Sequence, residues 1–309
     1  MRVPIILTIV GAVIVVLLLV LPLPTYEIPL LRLHKEKEPE VNLIFGGDMM
    51  FDRYIRQVSE RTGGDYVFSC VDQALLHSDA VVANLEGPIT NEPSVSVGTD
   101  TEEDANYVFT FPPNTAPLLS RHNIFIVNIG NNHIANFGQD GIVETKQYLT
   151  KSDVAYFDSD EPLTLDFHDV PFSFITYNQF GGGDAAQVLK AISDAKAQGR
   201  VPVVYAHWGE EYSPVTDTQR ELAHQFVDAG AAIVVGSHPH IVQEVEQYKG
   251  KSIYYSLGNF IFDQYFSDAV THGLLLSVTF TKEGVQSIQE IPIELQRDGR
   301  TCVADPVER

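Results

Sequence analysis

Five short apolar runs that alternate with helical patterns limit the folds open to this chain more than any other feature. The runs cover residues 42–45 (NLIF), 80–83 (AVVA), 124–129 (IFIVNI), 201–206 (VPVVYA) and 231–235 (AAIVV). Runs of this length are typical of strands that are buried on both faces. Helical patterns cover residues 66–76, 114–120, 140–149, 185–197 and 218–229. The alternation predicts an α/β fold with a largely parallel sheet.

The pattern changes after Gly236. The remaining strand candidates are short and separated by turns such as Lys249-Gly250, without helical patterns between them. They cover residues 242–248, 252–257, 274–280 and 288–295. Strands joined by short turns are typically antiparallel. We therefore expect the C-terminal segment to form a second, antiparallel-rich sheet.

The charge of the chain excludes one class of partner. The 309 residues include 41 acidic and only 20 basic side chains, for a formal net charge of −21. Such a field repels the phosphates of nucleic acid. We therefore expect no nucleic acid as a partner. The same field repels an anionic polymer, so binding of such a polymer would require a focused positive patch around the site.

The chain has only two cysteines, Cys70 and Cys302. Two cysteines cannot build a disulfide scaffold or a cysteine-based zinc site. One disulfide between them is possible, but nothing in the sequence indicates that their Cα atoms come close enough. We expect the two residues to stay unpaired.

The N-terminal segment determines the expected location of the protein. Residues 3–23 carry no charge, and at ~1.5 Å per residue they are long enough to cross ~30 Å of hydrocarbon. The alternative is a cleaved signal peptide, but no small-residue cleavage site follows the apolar stretch. We predict that residues 1–24 are an uncleaved transmembrane signal anchor, which makes this a single-pass protein of the cell membrane with an extracytoplasmic body. Arg32, Lys35 and Lys37 lie behind the span and act against this orientation.

The segment that follows the apolar stretch has the composition of a stalk. Residues 25–40 contain Pro29, Pro39 and the charged run HKEKEPE, which oppose a packed core. We therefore predict a linker over residues 25–40 and a single globular domain over residues 41–309.

Residues that can bind metal follow each of the five apolar runs. The segments are Gly46-Gly47-Asp48, Asn84-Leu85-Glu86, Asn131-Asn132-His133, His207-Trp208-Gly209-Glu210 and His238-Pro239-His240. In α/β sheets ligands bind beyond the carboxyl ends of the strands, where these residues would collect. Each residue alone can be explained as a turn, cap or core residue. Together they predict a site for one or two divalent cations, Mn²⁺, Mg²⁺ or Zn²⁺.

The spacing of the last two histidines supports a shared site. Pro239 favours an extended conformation at His238, and residues i and i+2 of an extended chain point to the same side. We therefore expect His238 and His240 to bind metal as a pair.

Six ordered motifs resemble the capsule-synthesis CapA, or poly-γ-glutamate biosynthesis PgsA, family of metallophosphatase-like proteins. The resemblance covers residues 41–293. The motifs are GDMMFDR (47–53), NLEGPIT (84–90), NNHIANFGQDG (131–141), HWGEEY (207–212), GSHPHIVQ (236–243) and YSLGNFIFDQ (255–264). The resemblance implies a four-layer αββα sandwich of the metallo-dependent phosphatase-like type, with a metal centre between the two sheets.

The resemblance also implies roles for individual residues. The implied metal ligands are Asp48, Glu86, Asn132, His207, His238 and His240. We expect His133 to protonate a leaving group without binding metal, and Arg53 to position an anionic substrate. We expect Gly258 to bring a backbone turn up to the site. The expected substrate and rim residues are Asn84, Asn131, Glu211, Tyr212, Asn259 and Asp263.

Two departures from the family pattern leave two functions open. Met50 replaces the histidine of the phosphoesterase Asp-x-His motif, and Asn136 replaces a common aspartate. The first function is a membrane-anchored metal-dependent hydrolase or transferase that acts on an extracytoplasmic polymer or its phosphorylated carrier in capsule or poly-γ-glutamate biosynthesis. The second is a non-catalytic accessory subunit that holds polymer, or other subunits of a membrane polymer synthase complex. The retained histidines favour the first function, and Met50 and Asn136 favour the second.

Overall fold

The structure, a computed structural model, describes residues 38–181 and 183–304. The strands are β1 Val41–Met49, β2 Ala80–Leu85, β3 Ile124–Asn128, β4 Ala155–Phe157, β5 Leu163–Phe167, β6 Val170–Asn178, β7 Val201–His207, β8 Ile233–Ser237, β9 Val245–Tyr248, β10 Lys251–Tyr254, β11 Asn259–Ile261, β12 His272–Thr281, β13 Gly284–Leu295 and β14 Thr301–Val303. The helices are α1 Arg53–Thr62, α2 Asp72–Leu75, α3 Thr115–Arg121, α4 Gly138–Lys151, α5 Ala185–Ala197, α6 Asp217–Ala229 and α7 Asp268–Thr271. Short 3-10 helices cover Gly64–Phe68 and Asp104–Tyr107.

The strands form two mixed sheets. The first has the order β14-β13-β12-β1-β2-β3-β4, with β11 also paired to β1, and the second has the order β5-β6-β7-β8-β10-β9. Strands β1 to β4 are parallel, as are β6, β7, β8 and β10. The predicted α/β fold with parallel strands is confirmed. The five apolar runs are divided between the two sheets.

The prediction of a separate C-terminal antiparallel sheet was wrong. Strands β12, β13 and β14 extend the first sheet from β1, whereas β9 and β10 extend the second sheet from β8. The strand candidates themselves were found where the sequence indicated them. Without these additions β1 and β8 would be sheet edges with unpaired backbone groups, and pairing with later strands removes those edges.

The two sheets face each other, and helices cover the outer face of each. Phe45 of β1 and Phe174 of β6 belong to the apolar cluster between the sheets. Ile55 of α1 and Ile44 of β1 belong to the cluster on the outer side of the first sheet. Apolar side chains of α5 and α6 pack against the second sheet and form the third cluster with it. Because side chains alternate along a strand, burial on both faces explains the unbroken apolar runs.

Cys70 and Cys302 form a disulfide, so the expectation that they stay unpaired was wrong. Their Cα atoms lie 4.7 Å apart although 232 positions separate them in the sequence. A backbone bridge joins the same two residues. The fold brings β14 beside the segment that precedes α2, and no local pattern in the sequence indicates this proximity.

Among the described residues, no helix combines the length and the apolar character needed to cross a bilayer. The transmembrane span predicted for residues 3–23 lies outside the described residues, as does the stalk before residue 38. The anchor, the stalk and the domain boundaries therefore stay predictions.

Candidate metal centre

Five of the six predicted metal ligands lie together at the carboxyl ends of β1, β2, β7 and β8. Donor atoms of Glu86, His207 and His238 lie within 4.8 Å of one another, and so do donor atoms of Asp48, Glu86 and His240. All five residues are buried. Glu86 belongs to both groups, so the two groups form one continuous cluster. The two sheets contribute jointly, because Asp48 belongs to the first sheet and His207 to the second.

Glu86 is the residue in this cluster that most clearly lacks a partner. Its side chain has no exposed surface, and neither carboxyl oxygen has a hydrogen-bond partner among the described residues. Its Oε1 atom lies 3.7 Å from Nε2 of His240 and 3.9 Å from Nε2 of His207. Nδ1 of His238 is also buried without a partner. Buried polar atoms are normally satisfied, so these orphaned donors fit a divalent cation that accepts mixed oxygen and nitrogen ligands.

The two carboxyl groups of the cluster have opposite pKa shifts. Burial raises the pKa of Glu86 well above its ordinary value, and the nearby negative charge of Asp48 raises it further. Burial also disfavours ionised Asp48, but hydrogen bonding and positive charge from His240, together with His207, hold the pKa of Asp48 below its ordinary range. The pair thus favours one charge over two when no cation is present.

Burial keeps two of the imidazoles neutral. It lowers the pKa of His207 well below its ordinary value. Burial and the nearby positive charge of His240 lower the pKa of His238 to about 4. A histidine binds metal through its neutral form, so these rings are in the required state at neutral pH.

A chain of buried amides orients Asp48. Asn84 donates from Nδ2 to Oδ1 of Asp48 at 2.8 Å, and Asn128 donates to Oδ1 of Asn84 at 2.9 Å. Thr176 of the second sheet donates to Oδ1 of Asn128 at 2.6 Å. Sequence reasoning placed Asn84 near the site but missed Asn128 and Thr176. An asparagine inside the apolar run IFIVNI was the available signal, because a buried amide needs partners.

His207 is held at both ring nitrogens. Nδ1 lies 2.9 Å from Oγ of Ser237, a residue that sequence reasoning missed, and Nε2 lies 2.8 Å from Oδ1 of Asn132. Two neighbouring ligands of one cation at ~2.1 Å would lie ~3 Å apart, so this separation fits Asn132 as a further ligand. Asn132 stays a predicted ligand on this basis.

The expectation of an extended His238-Pro239-His240 segment was wrong. The φ angles are 95° at His238 and 57° at His240, which lie in the left-handed region. The backbone N–H of His238 donates to Oδ2 of Asp48 at 3.0 Å, and Nδ1 of His240 lies 2.9 Å from Oδ1 of Asn259. These bonds stabilise a conformation that costs of order 1–3 kcal/mol per residue and is frequent at functional sites. The ring of His238 still lies in the donor group with Glu86 and His207, and the ring of His240 lies in the group with Asp48 and Glu86.

The turn expected at Gly258 lies directly beside Asp48. The backbone N–H of Asp48 donates to the Gly258 carbonyl at 3.1 Å. A Cβ atom on Gly47 would lie 1.8 Å from that carbonyl oxygen, which explains the glycine at this position. Gly258 itself has φ +69°. Asn259 donates from Nδ2 to the Val270 carbonyl at 3.0 Å, so the turn holds His240 from one side.

Arg53 is engaged within the protein. Its guanidinium donates to both carboxyl oxygens of Asp263 and, at 2.8 Å, to Oδ1 of Asn106. It also lies over the ring of Phe109, 5.1 Å from the centroid. Asn106 in turn donates to the Thr99 carbonyl at 3.1 Å. In this conformation Arg53 therefore fixes Asp263 and the loop that contains Asn106, and it presents fewer free donors to an anionic substrate than expected.

His133 lies beside the cluster but in neither donor group. Its ring packs against Phe109 at a centroid distance of 4.4 Å, and Nδ2 of Asn136 lies 3.3 Å from its Nδ1 atom. The ring also has a hydrogen bond with the backbone of Tyr107, which acts to raise its pKa. Burial nevertheless lowers the pKa of His133 to about 4, and the nearby charge of His240 adds to this effect. The ring is therefore neutral at neutral pH.

Met50 does not replace the missing histidine as a ligand in the structure. Its side chain is buried in the apolar cluster on the outer side of the first sheet, and its sulfur accepts the N–H of Asp52 at 3.0 Å. Asp52 also accepts the backbone N–H groups of Arg53 at 3.0 Å and of Thr110 at 2.8 Å. The segment after Asp48 therefore serves the fold, because Asp52 caps α1.

The remaining rim residues surround the opening of the site. Glu211 is exposed, as is Tyr212, whose hydroxyl accepts a hydrogen bond from Gln264 at 2.9 Å. Asn131 is buried and donates to the Leu85 carbonyl at 2.8 Å, so it positions its loop. Phe180, which sequence reasoning missed, is 43% exposed and lies 4.2 Å from the ring of His238. The opening is thus partly aromatic and partly acidic.

The chain is similar to several known proteins. The chain is 32% identical over 274 residues to the PGA biosynthesis protein CapA of Bacillus subtilis, which covers 81% of this chain and 70% of that protein. It is 29% identical over 302 residues to the capsule biosynthesis protein CapA of Bacillus anthracis, covering 89% of this chain and 72% of that protein. A probable polyglutamine synthesis accessory protein of Mycobacterium tuberculosis is 23% identical over 285 residues, covering 72% of this chain and 74% of that protein.

One family matches most of the chain. Its description is bacterial capsule synthesis protein PGA_cap, and it matches residues 42–161 and 158–264. These segments contain Asp48, Glu86, His207, His238 and His240, the five residues of the buried donor cluster. The two CapA proteins are relatives of this chain. The chain therefore belongs to the bacterial capsule synthesis protein PGA_cap family.

Proposed function

We propose that this protein is a membrane-anchored, divalent-metal-dependent hydrolase or transferase of capsule or poly-γ-glutamate biosynthesis. Its substrate would be an extracytoplasmic anionic polymer or a phosphorylated carrier of that polymer. The observation that carries the proposal is the fully buried carboxyl group of Glu86, which has no hydrogen-bond partner and lies between His207 and His240. Membership in the capsule synthesis family supports the biological setting. The charge-free stretch of residues 3–23 supports the anchor.

We also propose that the domain has the detailed architecture that the family resemblance implies. Two facing sheets with helices on both outer faces support a four-layer αββα sandwich of the metallo-dependent phosphatase-like type. The donor cluster takes residues from the carboxyl ends of strands in both sheets, as the resemblance implies.

The residues that would hold the cation are Asp48, Glu86, Asn132, His207, His238 and His240. A cation bound there supplies Lewis acidity that stabilises negative charge developing on a phosphoryl or carbonyl oxygen. Asn84 and Ser237 keep Asp48 and His207 in place through the hydrogen bonds described above.

His133 would donate a hydrogen bond to the leaving oxygen or nitrogen, because its ring is neutral at neutral pH and carries no imidazolium proton to transfer. The ring is held in place by Phe109 and Asn136. Arg53 would act by fixing Asp263 at the rim. Removing one hydrogen-bond donor to developing negative charge, here His133, typically lowers kcat by ~10²–10³.

A second candidate function is a non-catalytic accessory subunit of a polymer synthase complex. Two observations favour it: Met50 faces the apolar core where a ligand is common, and Arg53 is already paired with Asp263. The two functions make opposite predictions for turnover by the metal-loaded protein.

The test uses the full chain in a neutral detergent, loaded in turn with Mn²⁺, Mg²⁺ and Zn²⁺. Bound metal is measured by mass spectrometry, and turnover is measured on phosphoester and γ-glutamyl model substrates. We expect His133→Asn to lower turnover by ~10²–10³ while bound metal and thermal stability stay unchanged. His77→Asn, at an exposed position away from the cluster, is the matched control. A parent protein that binds metal without turnover would support the accessory function, and one that binds no metal would refute the proposal.

A further inference from the structure

A cleft of about 550 Å³ lies at the far end of β7 and β8 from the candidate metal centre. It is lined by residues 199–202, 230–232 and 282–284, by Lys249 and Lys251, and by three further residues, Lys196 of α5 and Val227 and Asp228 of α6. The cleft contains the first residue of β7, whereas His207 is the last. At ~3.3 Å per residue this places the two sites about 20 Å apart. The cleft is therefore separate from the metal centre.

The cleft is strongly basic in a strongly acidic protein. Two acidic side chains, Asp228 and Glu283, line it together with five basic ones. The basic residues are Lys196, Arg200, Lys249, Lys251 and Lys282. A quarter of the 20 basic residues of the chain thus lie within 15 lining positions, although acidic residues outnumber basic ones in the whole sequence. A focused positive patch of the kind that an anionic ligand requires therefore occurs at this cleft.

Three of the five basic side chains are available to a ligand. Lys249 pairs with Asp228 at 2.5 Å, and Arg200 pairs with Asp166 at 2.9 Å. The remaining three basic side chains are Lys196, Lys251 and Lys282. None of them has an ion pair within the part of the chain that the structure describes. They come from α5, from β10 and from the turn between β12 and β13. Three lysines without an ion pair on the lining of one cleft suit an anion such as a phosphate group.

The chain enters the domain beside this cleft. Val41, the first residue of β1, pairs with Phe280 near the end of β12. The turn of residues 282–284, which lines the cleft, follows directly. The first described residues of the chain therefore lie at the end of the domain that carries the lysines, opposite the end that carries the metal centre.

We propose that this cleft binds the phosphate groups of anionic phospholipids in the membrane to which the chain is anchored. The inference rests on the membrane attachment proposed above. Lysines near an anionic bilayer each strengthen binding by about fivefold. The entry of the chain beside the cleft favours lipid headgroups over a free anionic polymer, because an anchored chain would keep this end of the domain near the bilayer.

The test uses the full chain with nanodiscs of phosphatidylcholine, with or without phosphatidylglycerol. An amine-reactive reagent labels the lysines, and mass spectrometry gives the labelling rate of each one. We expect phosphatidylglycerol to slow labelling of Lys196, Lys251 and Lys282 by about fivefold or more. Labelling of Lys151 and Lys190, which are exposed elsewhere on the domain, should not change.

A charge-reversal pair identifies the cleft as the cause. Lys251→Glu with Lys282→Glu should abolish the protection of Lys196. Lys151→Glu with Lys190→Glu changes the net charge equally and should leave the protection intact. Circular dichroism checks that both double variants are folded. Loss of protection in both double variants would show a general charge effect and overturn the proposal.

The remaining arms separate the possible ligands. Equal labelling with both kinds of nanodisc overturns the proposal. Equal protection by inorganic phosphate alone assigns a free-anion site, and protection by soluble poly-γ-glutamate but not by phosphatidylglycerol assigns a polymer site; either result overturns lipid binding. Retention by neutral nanodiscs reports the anchor independently. A chain that is retained only when phosphatidylglycerol is present would refute the anchor and support the cleft.

Discussion

Replacing Glu86 by glutamine should stabilise the metal-free protein and at the same time remove its response to metal. The carboxyl group has no exposed surface and no hydrogen-bond partner for either oxygen, and it faces a second carboxylate, Asp48. Glutamine has the same shape but no charge, and its amide can donate to Asp48. A buried carboxyl group that costs stability is typical of a functional site, and the proposed metal binding would use it.

The size of the effect follows from the burial of Glu86. A buried polar group without partners costs about 1–3 kcal/mol, so Glu86→Gln should raise the free energy of unfolding of the metal-free protein by a similar amount. In a domain of this size 1 kcal/mol corresponds to roughly 2 °C, so the melting temperature should rise by about 2–6 °C. Adding Mn²⁺ or Zn²⁺ should stabilise the parent protein but not the variant.

The increase in the free energy of unfolding caused by Glu86→Gln should depend on pH, and the raised pKa of Glu86 sets the direction of this dependence. In the unfolded chain this carboxyl ionises near its ordinary value of 4.5, whereas burial raises its pKa in the folded protein. The folded state therefore holds the proton more strongly, and the parent protein loses stability as the pH rises from about 4.5 through the raised value. The advantage of Glu86→Gln should be absent in acid, grow over this interval and then remain constant.

The assay is thermal and urea unfolding of chelator-treated protein with and without added metal, at several pH values. Glu210→Gln removes one carboxylate from an exposed position and serves as the control, with an expected change below about 0.5 kcal/mol. A lower melting temperature for metal-free Glu86→Gln, or an unchanged response of this variant to metal, would refute the reasoning.

Three further predictions concern the metal ligands, the turn beside Asp48 and the disulfide. The double variant His238→Ala with His240→Ala should lose the metal-induced stabilisation, which is about 2.7 kcal/mol at a metal concentration of a hundred times Kd; an unchanged metal stoichiometry would contradict the assignment. Gly258→Val should cost more than about 2 kcal/mol in urea unfolding, because a side chain at φ +69° would meet the His272 carbonyl oxygen at 3.0 Å, whereas a parent-like midpoint would show that the turn adapts. Cys70→Ser should cost about 2–5 kcal/mol, and a reducing agent should lower the stability of the parent to the same extent but leave the variant unchanged.

Much of the site was predictable because its residues follow strands that the sequence marks clearly. The run before Asp48 and the run before His207 are apolar on both faces, and burial on both faces requires this pattern in any fold. The carboxyl ends of parallel strands share one edge, so donors that follow the strands collect there. The sequence alone therefore indicated the five residues that form the cluster.

The conformation and support of those residues were not predictable in the same way. The left-handed backbone at His238 depends on a hydrogen bond to Asp48, which lies 190 positions away in the chain. The bond from Thr176 to Asn128 joins the two sheets. Such partners are chosen by packing, and no local pattern in the sequence indicates them.

The sequence by itself determined the apolar strands, the donors that follow them and the acidic charge of the chain, because each depends on local composition and on the two-residue period of a strand. Only the tertiary structure decided which sheet the C-terminal strands join, that Cys70 meets Cys302, and that three lysines from distant segments converge in one cleft. It also decided that Glu86 is buried without a partner. These outcomes depend on pairing and burial between segments that lie far apart in the chain. The free energy of such contacts is gained only when the layers assemble, so no single segment predicts them.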